Sequence, residues 1–143
     1  GLSKLMGNYQ LFPYLNEQYL EEFLSALKED TQFGKLEAKV ILSKGQKIIG
    51  WYIYYIGHDK RCRVVHSESL PGMEDVLFHT LKTDAFEKGC IDISGRTSPS
   101  QIGTGFTEKS FNRPGKKWVL IHSKNQELMC AMQSGKAFLS SCW

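Results

Sequence analysis

Apolar residues recur along this chain with two different periods, and the changes between them mark its elements. Tyr19, Leu20, Phe23, Leu24 and Leu27 fall three and four apart, which places them on one face of a helix. Asn16 stands at the capping position, Pro13 lies just ahead of it, and residues 30–34 end the run. At Leu36 the period becomes two. Leu36, Ala38, Val40 and Leu42 alternate with Lys35, Glu37, Lys39 and Ser43, which predicts a strand over 36–43 with one wet face. Lys44-Gly45-Gln46 supplies a turn with glycine available for positive φ. Residues 47–56, rich in aromatic and β-branched side chains, form the second arm of a hairpin, and Gly57-His58-Asp59-Lys60 turns into a third strand over 61–69.

Pro71-Gly72 breaks that strand and opens a predicted helix over 72–88, with Met73, Leu77, Phe78, Leu81 and Ala85 on its apolar face. Lys88 suits its negative end and Gly89 its C′ position. Residues 90–94 read as a short strand, and a helix joining two strands predicts a right-handed parallel crossover. A less regular stretch follows over 95–115, with at most a weak helix around 100–110. Residues 117–123 then form a last strand, and Asn125 caps a short helix that Gly135 ends. The expected fold is α+β: one domain over residues 1–143, with a mixed, mainly antiparallel central sheet and flanking helices.

Composition narrows the function classes. The net charge of +3 is too small to mark a nucleic-acid surface, so no nucleic-acid partner is expected. The clusters Lys60/Arg61/Arg63 and Arg113/Lys116/Lys117 read first as solvated loop charge. Cysteines 62, 90, 130 and 142 show no CxxC spacing, which implies no metal and suits a reducing, cytoplasmic setting. No apolar run approaches the roughly 20 residues of a membrane span, so no membrane partner is expected either.

The chemistry-bearing segment runs from Val64-Val65 through His66-Ser67-Glu68-Ser69 to Leu70-Pro71-Gly72 and the helix beyond. A helix start offers unpaired N–H groups and a positive dipole end, and Gly72 would let a pyrophosphate approach the backbone. In element order the chain resembles the GNAT acyltransferase superfamily over residues 36–123. Ile49-Gly50-Trp51-Tyr52-Ile53-Tyr54-Tyr55 is similar to that family's third strand and residues 61–68 to its fourth. Residues 72–88 are similar to its acyl-CoA helix and 90–94 to its fifth strand. The resemblance implies that strands 61–68 and 90–94 splay apart. The pantetheine arm of acetyl-CoA or another acyl-CoA would then bond to the backbone of Val65, His66 and Ser67. The pyrophosphate would rest on N–H groups of Leu70, Gly72, Met73 and Glu74, and an amine acceptor would enter from the opposite side.

Two departures stand beside this likeness. Ser69-Leu70-Pro71-Gly72-Met73-Glu74 has one glycine and no basic residue, and no tyrosine follows Tyr55, although many members use one there as general acid. Glu68 and His66, two residues apart on one strand face, are the candidate bases for an ammonium nucleophile. Each also has an ordinary reading as a polar strand residue. His122, Arg96, Ser98 and Ser100 are weaker candidates for the same cleft. His79 is expected to face water, and Trp51, Tyr52, Tyr54 and Tyr55 read as core before they read as an acceptor pocket. The sequence therefore favours acyl transfer from an acyl-CoA to an amine. An inactive GNAT-like ligand-binding or protein-interaction domain is the alternative, and a PAS-like sensor a third. Too few residues precede the hairpin for a complete GNAT domain, so a preceding segment, a homodimer partner or the tail at 137–143 is expected to cover the edge of the 36–43 strand.

Overall fold

The computed structural model describes residues 9–10, 16–97, 101, 103, 110–111 and 121–137. Its elements are helix α1 (Glu17–Glu29), a single 3-10 turn (Thr31–Phe33), strands β1 (Lys35–Leu42), β2 (Ile48–Ile56) and β3 (Arg61–Ser69), helix α2 (Glu74–Glu87), strand β4 (Asp92–Ser94) and helix α3 (Gln126–Gln133). The sheet order is β1-β2-β3-β4. Its first three strands are antiparallel, and β4 is parallel to β3. The expected α+β fold with a mixed, mainly antiparallel sheet is the one observed.

The caps follow the sequence closely. Asn16 Oδ1 accepts from the Tyr19 N–H at 2.7 Å, and Asn125 Oδ1 from the Leu128 N–H at 3.2 Å. After α2 the Gly89 N–H donates to Phe86 and the Cys90 N–H to Ala85, with Gly89 at φ 77, which is a Schellman ending. In the hairpin turn the left-handed residue is Gln46 (φ 60) rather than Gly45. Helix α2 starts two residues later than expected because Leu70–Met73 forms a turn of its own.

Two cores lie on opposite faces of the sheet. Tyr52, Tyr54, Cys62 and Val64 pack under Leu77, Leu81 and Ala85 of α2. Trp51, Ile53, Tyr55 and Val65 pack against Phe23, Leu24, Leu27, Phe33 and Leu36 on the α1 side. On β1, Leu36 belongs to the core on the α1 side. Val40 and Leu42, expected on the dry face, are 54% and 49% exposed. The predicted strand over 117–123 lies outside the described residues except for 121–123, which are not strand. Of the residues before α1 only Tyr9, Gln10 and Asn16 are described, and the Gln10 N–H donates to the Lys136 carbonyl at 2.6 Å; what covers the edge of β1 lies outside the described residues.

Candidate functional site

Strand β4 is short and pairs with the first residues of β3 along its whole length. Their pairing covers Arg61↔Asp92, Cys62↔Ile93 and Arg63↔Ser94, and then stops. Gly95 sits against Val64 so closely that an added Cβ would lie 2.9 Å from the Val64 Cβ. At the next step β3 carries an extra residue, because Ile53 pairs with His66 while Tyr54 pairs with Val64. Val65 is therefore the bulge residue, and bulges bend the strand that carries them. Beyond it β3 runs on to Ser69, whereas β4 ends at Ser94; the splaying of these strands that the resemblance implied is not seen over residues 91–95, which stay against β3.

The direction of the β3 backbone in that open stretch follows from the ladder. The Leu70 N–H donates to the Ile49 carbonyl at 2.9 Å, which makes Gly50/Ser69 a pair whose own amides point away from each other. Tyr52/Ser67, one period earlier, is the same kind of pair. The N–H and C=O groups of Ser67 and Ser69 consequently face the side where β4 is missing. Ser67 and Ser69 are themselves buried, and the buried Gln101 side chain reaches this edge, its Nε2 donating to Ser67 Oγ at 3.2 Å and to the Ser67 carbonyl at 3.5 Å.

The open edge leads into the helix start. Met73 N–H donates to the Leu70 carbonyl at 2.9 Å, and with Pro71 and then Gly72 at φ 81 this is a type II turn. Nothing lies within 4 Å of where a Gly72 Cβ would be, so the turn is open to solvent. Helix α2 has no side-chain cap, and Glu74 and Asp75 occupy its first turn. The expectation for phosphate contacts is corrected at two positions. The amides of Leu70 and Met73 already serve Ile49 and Leu70, which leaves Gly72 and Glu74 of the expected set.

His66 and Glu68 do share a face, the α1 side, and differ sharply in environment. Glu68 is 3% exposed and accepts from the Tyr9 hydroxyl at 2.9 Å. Burial raises its carboxyl to about 7, Glu74 adds to the rise, and the Tyr9 bond opposes it. The His66 ring packs on Trp51 with centroids 4.3 Å apart, and burial lowers it to about 4. At neutral pH the imidazole is uncharged and weakly basic, whereas Glu68 is poised to exchange a proton. Glu68 stands three residues past the bulge, about 10 Å along the strand.

Other candidates fall elsewhere. Tyr52 and Tyr54 are core residues whose hydroxyls both donate to Asp84 Oδ2, at 3.3 and 2.6 Å. Tyr55 donates to the Leu27 carbonyl at 2.6 Å. His79, Arg96 and His122 are exposed, while Ser98 and Ser100 lie outside the described residues. Arg61 and Arg63 pair with Asp59, and Arg61 also with Asp92. The cluster Arg113/Lys116/Lys117 lies outside the described residues. Sequence reasoning missed Tyr9, Gln101 and Asp84, whose partners lie 59, 34 and about 30 residues away. No periodicity signals such contacts.

No family model matches the chain, and no curated protein matches it. Solved structures do. An acetyltransferase of Trypanosoma brucei matches with a TM-score of 0.53 at 14% identity, over 85% of this chain and 89% of that one. The aminoglycoside N-acetyltransferase AAC(6')-Iy, in complex with a bisubstrate analog, matches with a TM-score of 0.42 at 16% identity, over 99% of this chain and 87% of that one. At 14% identity the first of these likenesses speaks for architecture alone. The chain has the fold of the GNAT-type acetyltransferases.

Proposed function

We propose that this domain binds an acyl-CoA along the open edge of β3 and passes its acyl group to an amine. The observation that carries the reading is that β4 ends at Ser94 while β3 runs on past the Val65 bulge to Ser69. It leaves the N–H and C=O groups of Ser67 and Ser69 turned to the side that β4 does not reach, where Gln101 meets the Ser67 carbonyl, beside a helix start without a side-chain cap. A pantetheine arm carries amide groups that could bond to that edge as a further strand would, and Gly72 with Glu74 would meet the pyrophosphate through backbone N–H groups. In the transfer the amine nitrogen attacks the thioester carbonyl carbon, an N–C bond forms, the C–S bond breaks, and the sulfur leaves with the electron pair. Glu68 takes the proton that the ammonium must lose before attack, its raised pKa fitting that task near neutral pH, and the proton shed by nitrogen as the amide forms goes to the departing thiolate. For direct proton transfer the acceptor nitrogen has to lie on the α1 face between the bulge and Glu68. His66, held uncharged on Trp51, lines that path and is not the base.

Isothermal titration with CoA tests the reading, with binding at micromolar to millimolar levels expected. Absence of binding at millimolar CoA rules it out. A second reading is favoured by one feature of the same turn: Glu74 and Asp75 stand where phosphate charge would arrive, and residues 69–74 contain no basic side chain. In that reading the fold is a non-catalytic binding module. CoA binding with no acyl transfer to any of a panel of amines would support it.

A further inference from the structure

Below the bulge, on the α1 face, lies a recess of about 60 Å³ lined by Leu27, Asp30, Phe33, Tyr55, Arg63 and Val65. We infer that this recess takes the tail of an acyl group longer than acetyl, an inference that rests on the acyl-CoA reading above. Three observations point to it. Its position is set by Arg63, which pairs with the last residue of β4, and by the bulge residue Val65, so an acyl chain held where β4 ends lies next to the α1 side. Its walls are apolar: Leu27, Phe33, Tyr55 and Val65 supply them, and the Tyr55 hydroxyl is turned to the Leu27 carbonyl. Its charged rim is already engaged, since Arg63 is held by both oxygens of Asp59 and Asp30 accepts from Gln32 at 3.3 Å. That arrangement suits an uncharged hydrocarbon better than a charged acceptor.

Size sets the length. A space of 60 Å³ is roughly two water-sized volumes, and so holds about two methylene or methyl groups. With the carbonyl at the bulge, the best fit is a three- or four-carbon acyl group.

Titration of the whole chain with CoA, acetyl-CoA, propionyl-CoA and butyryl-CoA, without acceptor, tests this. Each carbon beyond acetyl should tighten binding by about fourfold, the equivalent of burying one methylene. Leu27→Trp, which fills the recess from helix α1, should abolish the gain for butyryl-CoA while leaving CoA affinity unchanged, with circular dichroism confirming the fold. Leu27→Ala should move the preference to a longer chain, and carries the test if the Trp variant does not fold. Equal affinity from acetyl to butyryl, with CoA still bound, overturns the inference and leaves the acyl-CoA reading standing. Failure to bind CoA at all overturns both.

Discussion

Glu68 and His66 lie two residues apart on one strand, and burial shifts their titrations in opposite directions. The folded Glu68 carboxyl titrates near 7 against 4.5 in the unfolded chain, so its contribution is fully present below about pH 4.5 and lost as pH rises toward 7. The loss is about 3 kcal/mol on the size of that shift. The folded imidazole titrates near 4 against 6.5, so its contribution is present above pH 6.5 and lost as pH falls toward 4. Between pH 4.5 and 6.5 the two nearly cancel, and only variants separate them. Glu68→Gln should raise urea stability at pH 8 by up to about 3 kcal/mol and leave it almost unchanged at pH 4. The same variant should cut acyl transfer by roughly 10²- to 10⁴-fold, the usual worth of a general base. His66→Phe keeps the ring on Trp51 and should stabilise only below pH 6.5. If His66→Phe abolishes transfer and Glu68→Gln spares it, the base is misassigned. The shared face of these residues was legible from period two. Their titrations were not, because both follow first from burial, and the sequence neither shows how deep the two side chains lie nor places Tyr9 beside Glu68.

At the scale of elements, local chemistry was the readable part. Asn16, Asn125, Gly89 and Gly135 end or begin helices where the sequence placed them, since caps depend only on neighbours a few residues away. Leu77, Leu81 and Ala85 are buried as their spacing required, whereas Met73 is exposed because the Leu70–Met73 turn holds it outside the helix. The contact between α2 and β2 was beyond reach: Asp84 comes from a helix whose apolar stripe says nothing of a polar anchor. Replacing Asp84 with Leu should leave the Tyr52 and Tyr54 hydroxyls buried without that acceptor, at about 1–3 kcal/mol each. Adding Tyr52→Phe and Tyr54→Phe to Asp84→Leu should recover most of the loss. Thermal melts of the single and triple variants decide it, and equal melting temperatures would remove the anchoring role. Gly72→Ala needs no steric adjustment but places Cβ at φ 81, at a cost of roughly 1 kcal/mol. Any larger loss of CoA affinity then reports on the phosphate turn itself.

For the whole molecule, the sheet divides into a closed half and an open half, and the boundary is the Val65 bulge. Below it β3 has neighbours on both sides; above it β2 remains and β4 is gone. A register of this kind makes a residue-by-residue prediction for amide exchange. His66 and Glu68 belong to pairs that exchange bonds with Ile53 and Trp51, so their amides should be protected in the free protein. The Ser67 amide points to the side that β4 does not reach, is bonded by neither β2 nor β4, and should exchange faster than either. Adding CoA should slow Ser67 by at least tenfold while changing Glu68 little, because a ligand lying along the edge meets only the outward amides. The alternation is the diagnostic part. General stiffening of the domain would slow all three together, and binding at a distant surface would slow none of them. A Ser67 amide already as slow as its neighbours before CoA is added would mean that the edge is filled. The open-edge reading would then fail, and the proposed ligand path with it.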